Sequence, residues 1–111
     1  MTADKTGAET TVNQEPQCFT ISVEGRPVGS IEYADRDGQR VLIHTEIDEA
    51  FSGRGLATIL AGEALTATRE AGLRIVPVCT LVAGYVDKHP EFRAVVDQPT
   101  PELLDWVRSG G

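Results

Sequence analysis

The run Phe51-Ser52-Gly53-Arg54-Gly55-Leu56-Ala57 places two glycines, one residue apart, immediately before a segment with helical apolar spacing. That combination suits an anion. The first N–H groups of a helix have no intrahelical acceptor and lie at the positive end of its dipole, so phosphate oxygens placed there meet several donors at once. Glycine lets the backbone approach such a ligand closely and adopt conformations that a side chain disfavours. Arg54 adds a mobile positive charge. The same residues would also serve a tight strand-to-helix connection that binds nothing. Two further residues carry chemistry. His44 is the one side chain on its strand face that titrates near neutrality, which suits a proton acceptor; its other reading is a half-buried strand residue bonded to a neighbour. Cys79 stands directly before a helix start, a setting that favours the nucleophilic thiolate, whereas an unactivated buried cysteine is merely a small apolar group.

Elements must hold these groups in place. Phe19 to Val23 and Pro27 to Tyr33 alternate apolar and polar residues around Glu24-Gly25, the pattern of a hairpin. After a turn at Asp35-Arg36-Asp37-Gly38, Arg40 to Ile47 reads as a third strand. Strict alternation puts Val41, Ile43, Thr45 and Ile47 on one face and Leu42, His44 and Glu46 on the other. From Leu56 the period becomes helical through Ile59, Leu60, Ala64, Ala67 and Ala71, with Gly72 as the C-terminal cap. Leu73 to Val78 is a short strand. Leu81, Val82, Tyr85, Val86 and His89 then share one helical face that Pro90 ends. A last helix is expected over Pro101 to Arg108, capped by Thr100. The expected architecture is α/β (α+β): an antiparallel meander, then helix, parallel strand and helix, as a single domain over 18–111.

Met1 to Gln17 contains little apolar surface beyond Val12 and is expected to be a flexible tail. It has no leader-peptide pattern, and no segment approaches the ~20 apolar residues that cross a bilayer, so an intracellular, cytoplasmic chain without a membrane partner is expected. The formal net charge of -7 disfavours nucleic acid and permits a cationic partner such as an amine. Cys18 and Cys79 are far apart and belong to no Cys-x-x-Cys or His-x-x-x-His pattern, so neither a disulfide scaffold nor a metal site is indicated. Oligomeric state is not legible.

Several motifs together point to a family. Gly53-Arg54-Gly55-Leu56-Ala57, Ile75-Val76-Pro77-Val78-Cys79 and Tyr85-Val86-Asp87-Lys88-His89-Pro90-Glu91-Phe92 follow one another in order. From about Phe19 to Phe92 the chain resembles the small, stand-alone branch of the GNAT (GCN5-related) N-acetyltransferases. The resemblance implies a compact GNAT fold in which the two central parallel strands splay at Pro77, with acetyl-CoA as co-substrate and no metal. It implies that Phe51, Ser52, Gly53, Arg54, Gly55, Leu56 and Ala57 hold the CoA pyrophosphate, and that the backbone of Thr45 to Ile47 pairs with pantetheine. Ala50 departs from the family's usual Gln or Arg.

The resemblance also ranks the reactive groups. His44 would be general base, Cys79 a transient acyl acceptor or an orienting group beside the thioester, and Tyr85 the acid for the departing thiolate. Tyr85 can equally be a packing residue, and Lys88 can reach a cofactor phosphate or simply face solvent. The implied activity is acetyl transfer to an amine of a small molecule or peptide. A CoA-binding module without catalysis and a protein-interaction domain are the alternatives.

Overall fold

The computed structural model describes residues 2–3 and 7–110. Two dipeptides ending in glycine set the register of its sheet. Glu24 and Gly25 have φ of 50° and 83°, and Asp37 and Gly38 have 49° and 76°. Paired left-handed residues of this kind make two-residue hairpin turns whose twist matches that of the strands. The strands are β1 (Thr2–Ala3), β2 (Glu9–Gln14), β3 (Cys18–Val23), β4 (Arg26–Arg36), β5 (Gln39–Ile47) and β6 (Arg74–Pro77). They form one sheet in chain order, antiparallel up to β5 and parallel between β5 and β6.

The parallel pair requires a crossover, which helix α1 (Leu56–Glu70) supplies. Its apolar face, including Leu56, Leu60, Ala64 and Leu65, packs on Phe19, Ile21, Ile31 and Leu42 to form the main core. Ala71 caps α1 and Gly72 follows at φ 76°, so the glycine C-terminus expected from the sequence is present. Helix α2 (Thr80–Lys88) and helix α3 (Pro101–Arg108) complete the fold, with a 3-10 segment over Pro90–Val95 between them. The Thr100 hydroxyl accepts from Leu103 N–H at 3.1 Å, which caps α3. Leu103, Trp106 and Val107 of α3 cover Val41 and Val76 on the opposite face of the sheet.

The expected tail is in large part a strand. Five residues of β2 pair with β3, from Thr10↔Val23 to Gln14↔Phe19. Thr10 is buried, and Val12 packs against the main core. Tyr33 donates its hydroxyl proton to the Glu15 carbonyl at 2.5 Å and accepts from Gln14 Nε2 at 3.2 Å. Apolar content was the wrong measure for this segment, because a strand added next to β3 is held chiefly by ladder hydrogen bonds and needs only one inward-facing residue in two. Residues 1 and 4–6, also assigned to the tail, lie outside the described residues.

The second correction concerns β5. Glu32 pairs with His44 but Tyr33 pairs with Leu42, so Ile43 is an extra residue, a β-bulge. The bulge breaks strict alternation. Val41 and Ile43 pack in the α3 cluster, while Leu42 and Ile47 face α1. Thr45, beyond the bulge, shares the α1 face, since its partner Ile31 is in that core. The even spacing Val41, Ile43, Thr45, Ile47 is therefore divided between two faces, and Leu42 does not share a face with His44 and Glu46.

Candidate active site

The strand-to-helix turn begins with Asp48, whose carboxylate accepts from Ala50 N–H at 3.0 Å and starts the single 3-10 turn Glu49–Phe51. The backbone N–H and hydroxyl of Ser52 both donate to the Glu49 carbonyl, at 3.2 and 3.0 Å. Ser52 thus fixes the turn with its own donors. Gly53 and Gly55 both take φ 78°, the left-handed region, and Gly55 is the N-cap of α1. A side chain in that region costs about 1–2 kcal/mol. The first backbone bond of α1 runs from Ile59 N–H to the Gly55 carbonyl at 3.2 Å, which leaves the N–H groups of Leu56, Ala57 and Thr58 with no acceptor inside the helix. No acidic residue occupies the first turn of α1. The Leu56 side chain is buried in the core, so only its backbone is available to a ligand.

Two guanidinium groups flank this turn. The Arg54 Cζ lies 4.8 Å from the Phe51 ring centroid and the Arg26 Cζ 5.7 Å from it. Arg26 was not legible as a site residue. It lies in β4, far from the turn in sequence, and only the pairing of β4 with β5, which sets Gly29 opposite Ile47, brings its charge beside Phe51.

The strand pair beyond the turn opens as the proline implies. Pairing of β5 with β6 runs from Gln39↔Arg74 to Leu42↔Pro77. The N–H groups of Val78 and Cys79 both return to the Leu42 carbonyl, at 3.1 and 2.9 Å. Past that point β6 ends and the chain turns into α2, so the ladder stops while β5 continues to Ile47. A cleft of about 500 Å³ fills the opening, and His44, Thr45, Ile47, Ala57 and Cys79 all contribute to its walls. Five of the residues singled out in the sequence are therefore brought together.

Within the cleft the Thr45 Oγ1 and Cys79 Sγ are 3.1 Å apart. Cys79 is the N-cap of α2, yet its thiol makes no capping bond to that helix and faces the strand instead. His44 lies on the other face of the strand from Thr45, with its side chain 62% exposed and Nε2 3.3 Å from Glu46 Oε1. The protein thus presents a thiol inside the cleft and an imidazole–carboxylate pair at its outer rim.

Tyr85 and Lys88 are not part of this cleft. They line a neighbouring hollow of about 300 Å³ that shares Thr80 and Leu81 with it. The Tyr85 ring stacks on His89, centroids 3.8 Å apart and planes within 10°. His89 Nδ1 lies 2.8 Å from the Tyr85 carbonyl, which can only accept, so Nδ1 carries the proton. The phenol points at α1, where a Cβ on Gly62 would lie 2.7 Å from its oxygen. Burial, followed by the charge of Glu91, holds the Tyr85 phenol above its ordinary value and so keeps it protonated. A proton donor is present, but one cavity away from Cys79.

Among the described residues no cluster of three or more His, Cys, Asp or Glu is placed to hold a metal ion, and no helix is long and apolar enough to cross a membrane. A family model described as GCN5-related N-acetyl-transferase matches residues 18–95. No curated protein matches the chain. Among solved structures, the NMR structure of a Staphylococcus aureus protein described as a GCN5-like candidate N-acetyltransferase superposes with a TM-score of 0.62 at 20% identity. It covers 82% of this chain and 91% of its own. At that identity the likeness speaks to the fold, and it agrees with the meander, the crossover helix and the parallel pair described above. With the family match spanning both the glycine turn and the Pro77 opening, the chain belongs to the GCN5-related N-acetyltransferase family.

Proposed function

We propose that the chain transfers the acetyl group of acetyl-CoA to an amine, carried by a small molecule or a peptide. The observation that carries this reading is the meeting of an anion-receptive helix start with an open strand pair in which Thr45 and Cys79 face each other. The residues suit the co-substrate. Free N–H groups at the start of α1, two left-handed glycines and the Arg54 and Arg26 charges fit a pyrophosphate. The ladder edge of β5 left unpaired around Thr45 to Ile47 fits an extended amide arm, and Lys88 in the adjoining hollow fits a further phosphate.

Bound acetyl-CoA supplies a thioester, an acyl group activated toward attack. His44 accepts the surplus proton of the attacking amine; Glu46 holds one imidazole nitrogen and leaves the other for this task. Cys79 either takes the acyl group first and passes it to the amine, or orients the thioester while the amine attacks directly. In the direct route the C–N bond forms as the C–S bond to CoA breaks. Through Cys79, a C–S bond to its sulfur forms as the C–S bond to CoA breaks, and that new bond breaks in turn as the C–N bond forms, returning the Cys79 sulfur. In both routes the CoA sulfur leaves as thiolate and is protonated. Such chemistry draws on an intracellular co-substrate, which supports a cytoplasmic location. A second reading, a CoA-binding module with little catalysis, draws on Ala50 at the position of the family's Gln or Arg.

The test is release of the CoA thiol from acetyl-CoA in the presence of polyamines, aminated metabolites and lysine peptides. Amine-dependent release is expected. Cys79→Ala and His44→Ala should lower it strongly while CoA still raises thermal stability. Mass spectrometry after incubation with acetyl-CoA separates the routes, since an acetyl group on Cys79 appears only if the thiol is the acceptor. CoA binding with no release for any amine would leave the binding module, and absence of CoA binding would overturn both readings.

A further inference from the structure

We propose that Thr45 is the positioning residue for the Cys79 thiol, holding it across the opening between β5 and β6 and stabilising its thiolate form. The role in catalysis rests on the acetyltransferase reading, but the effect on the thiol does not. The two side chains are 34 positions apart in sequence and meet at 3.1 Å.

Three features set the contact. The Cys79 N–H donates to the Leu42 carbonyl at 2.9 Å, so the main chain of the cysteine is tied to β5. The Cys79 side chain occupies an N-cap position, where polar side chains ordinarily turn back to the helix, and it does not do so. The bulge at Ile43 turns Thr45 onto the α1 face. With strict alternation from Val41, Thr45 would instead point toward the α3 cluster, and the Cys79 thiol would face no hydroxyl from β5.

A hydroxyl is the suitable partner. It both donates and accepts, so it remains bonded to the neutral thiol and to the thiolate. Against the thiolate, Thr45 must be the donor, and a hydrogen bond to a charged group is stronger than one between neutral groups. Valine has the same shape and β-branching but neither donates nor accepts. Serine keeps the hydroxyl and loses the methyl group.

The experiment measures the rate of Cys79 alkylation by iodoacetamide at neutral pH, without any CoA, using peptide mass spectrometry. Cys18, in β3 and outside the cleft, is the reference on the same chain. In Thr45→Val the Cys79 rate should fall about tenfold, the expected loss of one hydrogen bond to a charged sulfur, while the Cys18 rate is unchanged. Thr45→Ser should restore most of the wild-type rate, and Thr45→Ala should repeat the loss if valine perturbs folding. Equal Cys79 rates in wild type and Thr45→Val would overturn the proposal, as would an equal fall in the serine variant, which would make packing the cause. Because no acyl transfer is involved, a Thr45 effect on alkylation together with inactive wild-type protein would count against the acetyltransferase reading alone.

Discussion

Gly53 and Gly72 make a matched pair on which the phosphate-turn argument can be tried. Both are left-handed, at φ 78° and 76°, and a Cβ at either would meet nothing within 4 Å. The cost of a side chain is therefore conformational at both, about 1–2 kcal/mol in the folded state. For a domain of this size each kcal/mol lowers the midpoint of thermal unfolding by roughly 4–8 °C. Gly53→Val and Gly72→Val should accordingly be destabilised by similar amounts in the absence of ligand. They should differ when CoA is added. Gly72 terminates α1 at the end away from the turn, so its variant should keep the full ligand increment, about 2.7 kcal/mol at a hundredfold excess over the dissociation constant. Gly53→Val puts a branched side chain where the phosphate must approach and should lose most of that increment. Differential scanning fluorimetry across a CoA concentration series reads both quantities. Equal CoA increments in the two variants would refute the assignment of the glycine turn to the pyrophosphate.

Two other outcomes follow from the same structure. Removing residues 1–15 deletes β2 together with both hydrogen bonds to the Tyr33 hydroxyl and the burial of Thr10 and Val12; urea unfolding should show a loss on the order of 2–4 kcal/mol, and an unchanged midpoint would mean that β2 adds nothing to the fold. Arg26→Ala and Arg54→Ala should each weaken CoA binding, most at low salt and progressively less as ionic strength rises, in contrast to a packing defect, whose effect would be independent of salt; calorimetric titration at two salt concentrations distinguishes them.

Much of the molecule is set by local chemistry and is legible without a structure. The turns at Glu24-Gly25 and Asp37-Gly38 need only residues that tolerate positive φ. The run from Leu56 needs only a 3.6-residue apolar period and a glycine past its end, and Pro77 ends a strand because it lacks a donor. The glycine turn and Cys79 before α2 belong to the same class, since each depends on its immediate neighbours. What depends on a partner strand or a distant residue was decided by the tertiary structure. The assignment of Glu9–Gln14 to the sheet depends on ladder bonds to β3, which composition does not register. A bulge exists only as a mismatch between two strands, so the extra residue at Ile43 cannot be read from β5 alone, although it determines which face Thr45 and His44 occupy. Arg26 beside Phe51, Thr45 beside Cys79, and Tyr85 directed at Gly62 rather than at the thiol are all contacts between elements. Local propensity sets which elements form; packing and register determine which of their side chains meet.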